Sequence, residues 1–390
     1  MKLRLFRTIF FKSPDRFVLN LILVVFLSNL SVFAANDDFK NYRQCWKYET
    51  DKLTNIAPTT NSNDLILPLS DGTLLNLDVS NGTVNWKADL GGEIAAPLVS
   101  NSKVVIAASK INSEAENDKN KNVLKLRALS ISTGLTIWQK DITAEQQIYL
   151  VLNGETLLYA ANISEKESAI TSLETLTGLP IWSKSFSAAL NTKIYISGTQ
   201  IYFGTSDNSV YSIRFNDGHL SKQIKVKNSA EGNLAATNGT VFFGDSKGEI
   251  NALREADSRI LWTLRTGGAV QDILPSKSGL LITSLDNFVY FHKYSTGKRQ
   301  WRRRLASRPL SAGLLNEETV FLLANGENTA LLLNLKNGKI LNQISLGENN
   351  YALAAPGFVD KKFFITTLTG VLGFALDGCA KTAEEKKSAK

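Results

Sequence analysis

Histidine and cysteine are almost absent from this 390-residue chain, which holds only two of each. His219 and His292 stand far apart in sequence, neither with a ligand-type neighbour at metal spacing, and Cys45 and Cys379 form no C-x-x-C pair. A zinc centre or a histidine-based nucleophile is therefore not expected. No glycine-rich loop follows a strand and opens a helix, so the phosphate-cradling and dinucleotide signatures are missing. Beyond residue 35 there is no apolar run long enough to cross a bilayer. A concentrated basic field is lacking too, although the formal charge is +8. Residues 1–35 carry +4 of it (Lys2, Arg4, Arg7, Lys12 and Arg16 against Asp15), and Lys381–Lys390 carries +2, leaving +2 for the body. Nucleic-acid binding, which needs clustered cations, is not indicated.

What the chain does contain is a repeated phrase. Its clearest copy is Asp71 to Leu90, DGTLLNLDVSNGTVNWKADL, with Asp71-Gly72 and Asn81-Gly82 corners. Val84, Trp86, Ala88 and Leu90 share one parity, as expected of antiparallel hairpins with one face inward. An anchor of glycine, three residues and tryptophan recurs as Gly82/Trp86, Gly134/Trp138, Gly178/Trp182 and Gly297/Trp301. Trp262 follows Ser258 at the same spacing, while Gly218 and Gly338 lead to Lys222 and Asn342 instead of an indole. Successive anchors lie 52, 44, 40, 40, 39 and 41 residues apart. A period near 40 with several short strands per unit indicates a radial array. The expected fold is all-β: an eight-bladed β-propeller of four-stranded antiparallel blades.

The eighth blade is expected to be shared by the chain ends. Trp46, in CWKYETDKL, reads as a fourth strand lacking the first three, and APGFVD, KKFFITTLTG and VLGFALDGC read as three strands lacking a fourth. Trp46, Trp86, Trp138, Trp182, Trp262 and Trp301 are thereby all assigned to docking one blade on the next. Cys45 and Cys379 fall at the two cut ends, where other blades have a continuous turn, and a disulfide is expected to replace it; two unrelated buried thiols are the rival reading. The start supports an oxidising compartment: a basic stretch precedes FVLNLILVVFLSNLSVF, and Val32-Phe33-Ala34 suits signal cleavage. The expected organisation is a signal peptide over 1–35 (or an uncleaved anchor in the inner membrane), a linker over 36–44, the propeller over 45–380, and a charged tail over 381–390. The mature chain is then periplasmic or secreted, with no integral span.

Two features offer function beside a plainer account. Lys110 to Asn122 lengthens blade two and is either an exposed insertion or a partner-contact loop. Lys298, Arg299, Arg302, Arg303, Arg304 and Arg308 cluster on and beyond the last strand of blade six. Edge cations guard against strand-to-strand aggregation; alternatively they form a docking patch for an acidic protein surface or anionic lipid. Asp71, Asp207, Asp245 and Asp286 sit at hairpin corners, where turn chemistry accounts for them without calcium.

The phrase DGTLLNLDVSNGTVNW resembles the repeat of the pyrroloquinoline-quinone-type propellers, over about Cys45 to Cys379. It differs from WD repeats, since each Trp precedes Lys, Gln, Ser, Thr or Arg. One branch, the quinone-dependent alcohol dehydrogenases, implies a quinone over the channel, calcium, a catalytic Asp and an adjacent-cysteine disulfide. No such cysteine pair exists here, and no Asp matches a catalytic motif. The other branch, the propeller subunit of the outer-membrane barrel-assembly machinery, implies a non-enzymatic scaffold whose loops contact the assembly barrel. This chain departs from it in lacking a lipid-attachment cysteine after the signal. The resulting expectation is an exported, non-catalytic propeller without a cofactor, monomeric within a complex, that binds other envelope proteins or extended polypeptides. The alternatives are a quinone- and calcium-dependent oxidoreductase or a secreted ligand-binding propeller.

Overall fold

The 32 strands of the described residues fall into eight four-stranded antiparallel sheets, joined in sequence order except at the last. The computed structural model describes residues 42–111, 123–145, 148–376 and Cys379, all in the unit from Phe39 to Lys390. The export segment over 1–35, most of the Lys110–Asn122 insertion and the tail over 381–390 lie outside these residues. No helix among the described residues is long and apolar enough to cross a membrane.

Blade one shows the pattern: Thr59–Thr60, Asp64–Pro68, Thr73–Asp78 and Val84–Asp89, hydrogen-bonded in that order. First strands of most successive blades touch one another, which places them around the axis. The middle two strands are buried on both faces, because each sheet is sandwiched between its neighbours. Leu65, Ile66, Leu67, Leu74 and Leu77 are fully buried for that reason, and large-to-small changes there would cost about 2–5 kcal/mol each. The fourth strand is the outer one, with mostly exposed residues and no partner on its far side.

One expectation from alternation fails at this outer strand. Val84 shares the parity of Trp86 but not its face, since Leu77 pairs Val84 and Asn76 pairs Trp86, with Asn85 bulged between them. A bulge breaks the two-residue period and turns the strand. It leaves Val84 exposed while Trp86 is buried. The same register shift recurs in the outer strand of every blade.

Six joints between blades are built alike. Trp86 of blade one lays its ring on Gly134 of blade two, where a Cβ would fall 2.6 Å from the indole, and Gly134 has φ +71°. Its Nε1 donates to Ile131 O at 2.7 Å. The same ring-on-glycine contact joins Trp46 to Gly82, Trp138 to Gly178, Trp182 to Gly218, Trp262 to Gly297 and Trp301 to Gly338. In each case Nε1 donates to the carbonyl three residues before the glycine, those of Val79, Thr175, Phe215, Tyr294 and Leu335. The glycine of the repeat therefore serves the tryptophan of the preceding blade rather than its own.

In the blade with Lys222 in place of the indole, the ammonium donates to Glu255 O and, at 2.7 Å, to Ala256 O. Glu255 is the residue three before Ser258, so the lysine reaches the carbonyl that an indole would reach elsewhere. Around it Tyr202 donates to Glu255 at 2.9 Å and Ser212 at 3.4 Å. A polar joint replaces the aromatic one.

Blade eight is composite. Gly357–Val359, Lys362–Thr367 and Gly370–Ala375 are completed by Arg43–Tyr48, with Trp46 opposite Gly373. Cys45 and Cys379 are disulfide-bonded, with Cα atoms 5.2 Å apart. Leu376 N bonds Lys361 O as Val79 N bonds Asn63 O in blade one. Three residues further on, Cys379 occupies the place that Gly82 fills there. So the two joints lacking the glycine, at Ser258 and Cys379, also lack the tryptophan, at Lys222 and Asn342.

Candidate interaction surfaces on the rim

The corner aspartates are committed to their turns. Asp71 accepts from Thr73 N at 3.0 Å and from Lys52 at 2.8 Å, and the lysine bond holds its carboxyl down at about 2. Asp207 accepts from Thr205, Ser209 and Lys225; Asp245 from the amides of Lys247 and Glu249; Asp286 from Phe288 N, Gly267 N and Tyr290 OH. Among the described residues no three His, Cys, Asp or Glu side chains come together as a metal site. His219 lies exposed in a turn, whereas His292 is buried and bonds Gly297 O at 2.7 Å. Burial pushes the His292 imidazole below its usual value.

A cleft of about 470 Å³ opens beside blades three to five, lined by Glu145, Glu165 and Glu231 among neutral residues. It contains no cation. A tricarboxylate such as pyrroloquinoline quinone would meet like charge there, and the donor set does not fit that cofactor. A second hollow of about 780 Å³ is bounded by Tyr195, Tyr294 and Pro275, and its Lys277 and Glu317 pair with each other.

Asp272 lies on an inner strand, Val270–Pro275, against the neighbouring inner strand Glu231–Thr237. Asn233 of the neighbouring inner strand donates to it, and Thr283 lies within 3.4 Å. Burial raises its pKa, opposed by Lys193 and by these hydrogen bonds. A carboxyl with a raised folded pKa binds more protons folded than unfolded. Its contribution is most favourable below the unfolded range near ~4 and is lost as pH rises through the folded value. Asp272→Asn is therefore expected to raise the urea midpoint at pH 7 and to flatten its decline above pH 4, as denaturation across pH would show.

The rim carries two distinct surfaces. On blades two and three the outer strands, Thr136–Thr143 and Pro180–Phe186, are preceded by Leu135 and Leu179, which are 71% and 62% exposed. Ile137 and Ile181, at the bulges, are exposed beside them. Sequence reading did not single these four out, although all four fall on the parity opposite Trp138 and Trp182, which a strand with one face inward turns to solvent. The signal was available in the residue just before each tryptophan, which is apolar here but Asn85 in blade one and Gln300 in blade six.

On blade six the outer strand is Arg299–Arg304. Lys298, Arg299, Arg302, Arg304 and Arg308 are exposed, and Arg303 is half-buried, donating from Nε to Gly338 O at 2.6 Å. Arg302 lies over the Phe288 ring, 5.1 Å from its centre. None of the six makes an ion pair among the described residues. The structure thus brings the sequence cluster together on one edge, with Arg303 turned to the blade joint.

Comparison with known proteins agrees with the ring of repeats. A family model described as outer membrane protein assembly factor BamB matches residues 38–148, 120–223 and 219–366. The chain belongs to the BamB family. A relative bearing that description from Yersinia pestis is 26% identical over 139 residues, 36% of this chain and 27% of the relative. The match thus spans about a quarter of that relative's length. Among solved structures, BamB from Moraxella catarrhalis superposes with a TM-score of 0.64 at 12% identity, covering 87% of this chain and 99% of that one. A quinohemoprotein alcohol dehydrogenase from Pseudomonas putida HK5 gives 0.65 at 11% identity, covering 88% and 77%. At such identities both share the fold, and only that.

Proposed function

We propose that this protein is an exported, non-catalytic scaffold that binds other proteins of the cell envelope during outer-membrane protein assembly. Membership of the BamB family supports the setting. The observation that carries the reading is the rim: adjacent outer strands with open edges and with Leu135, Ile137, Leu179 and Ile181 turned to solvent. Open edges accept a partner strand through main-chain hydrogen bonds, with side chains on alternate positions giving selectivity. Clustered apolar exposure on a soluble surface marks interaction sites.

Photo-crosslinkers placed at Leu135 and Leu179, with Lys361 as an exposed control, test this in the native host. Captured envelope assembly proteins or unfolded outer-membrane chains at the first two positions are the expected result. Equal capture at all three positions, or none, would remove the rim from the proposal.

A further inference from the structure

The basic edge of blade six is set apart from its neighbours by what fails to neutralise it. In blades four and five the cation ending the third strand pairs with an aspartate three residues on: Arg214 with Asp217 and Arg254 with Asp257, each at 2.6 Å. The hydrogen bonds of the turn align Lys293 with Arg214, as Lys293 N bonds Lys298 O and Arg214 N bonds His219 O. Three residues after Lys293 stands Thr296, which has no charge to offer. Of the acids around this edge, Asp286 is engaged by Tyr290 OH at 2.6 Å and by Gly267 N, and Glu317 by Lys277, while Glu318 lines a hollow with Lys293 and Gln300 without an ion pair to any of these cations. Lys293, Lys298, Arg299, Arg302, Arg304 and Arg308 are all exposed, and none makes an ion pair among the described residues.

The field is also ordered. Arg302 and Arg304 pair with Tyr290 and Phe288 on the neighbouring strand, two residues apart and so on one face. At a rise of about 3.4 Å per residue, such neighbours stand roughly 7 Å apart, the interval between side chains at i and i+2 of a strand laid alongside. The far edge of Arg299–Arg304 has no partner strand, so its amides and carbonyls are open to one. Edge guarding alone would need cations but not the loss of the turn aspartate that pairs the corresponding cation in blades four and five. We infer that the outer strand of blade six is a receptor edge for an acidic extended polypeptide, added as a fifth strand with carboxylates on alternate positions. Main-chain pairing holds the segment and the arginine ladder selects it. A bilayer of anionic headgroups would satisfy the charge but could not use the open backbone. The inference rests on the scaffold reading for its setting, and adds to it which surface takes which partner.

The test uses protein purified from the cell envelope and a fluorescent nine-residue peptide of alternating Asp and Val. Controls are the Lys–Val counterpart, an acidic peptide N-methylated on alternate amides, and phosphatidylglycerol vesicles. The acidic peptide should bind, weaken with added salt, and lose at least tenfold in affinity on N-methylation. Arg302→Glu with Arg304→Glu should cause a similar loss with an unchanged melting temperature, whereas Lys140→Glu with Lys184→Glu on blades two and three should not. Equal binding of the N-methylated peptide, or binding to vesicles without binding to peptide, would overturn the inference. So would no peptide binding together with faster aggregation of the double variant, which would leave edge guarding as the whole role. Any of these failures beside productive rim crosslinking would remove this edge while leaving the scaffold reading in place.

Discussion

Gly134→Ala is expected to destabilise the ring by about 2–4 kcal/mol, a combination of left-handed strain and overpacking. The added methyl would fall 2.6 Å from the Trp86 ring, at a residue with φ +71°. Neither side can yield easily, since the indole is also anchored through Ile131 O. Trp86→Ala attacks the joint from the other side and should cost roughly 3–5 kcal/mol. Ser258→Ala is the contrast: a residue with a Cβ already stands there opposite Lys222, and urea denaturation should find it nearly neutral. The joint is further tested by transplantation. Lys222→Trp alone should destabilise, because its ring would meet Ser258, and adding Ser258→Gly should recover stability through a coupling of about 0.5–3 kcal/mol. Strict additivity of the two changes would show that tryptophan and glycine do not act as a pair.

Opening the Cys45–Cys379 bond is expected to have the largest effect of any single covalent change. The bridge closes a separation of 334 residues, for which chain entropy gives about 6 kcal/mol as an upper figure. Its position determines how the loss appears. Arg43–Tyr48 is held to the rest of blade eight by pairing with Gly370–Ala375, and no backbone turn joins the two. In Cys379→Ser the outer strand of blade eight should fray first. Hydrogen exchange should then show Arg43–Tyr48 losing protection at denaturant concentrations where Val84–Asp89 of blade one remains protected. Simultaneous loss in both strands would mean that the ring opens as a whole and that the bridge does not specifically hold this closure.

Much of this architecture was legible because it is written eight times. Corner glycines, hairpin spacing and the 40-residue period are local, and local rules fix strands, turns and blade number. The composite blade followed from counting strands at the two ends, and the position of the cysteines from the same count. Face assignment was less legible. Parity placed Val84 with Trp86, but a bulge at Asn85 separates them, and no residue type enforces a bulge where the flanking sequence still alternates. Ile137 and Ile181 are a different case: they fall on the parity opposite Trp138 and Trp182 and are exposed at their bulges, apolar residues where alternation expects polar ones.

By itself, the sequence determined the class of fold, the closure of the ring by its own ends, and the scarcity of groups for metal or nucleophilic chemistry. The first and last depend on composition and on local spacing, and the closure on the strands left unmatched at the two ends of a counted repeat. Only the tertiary structure decided which residues meet across blades: that each glycine is covered by the indole of the preceding unit, and that Lys222 takes over the indole's hydrogen bond. It also decided that Arg299, Arg302 and Arg304 are exposed and make no ion pair among the described residues, while Arg303 turns to Gly338 O. Such pairings join positions some 35 to 50 residues apart, where rotation of one blade against the next, and not the spacing of residues within either, sets what touches.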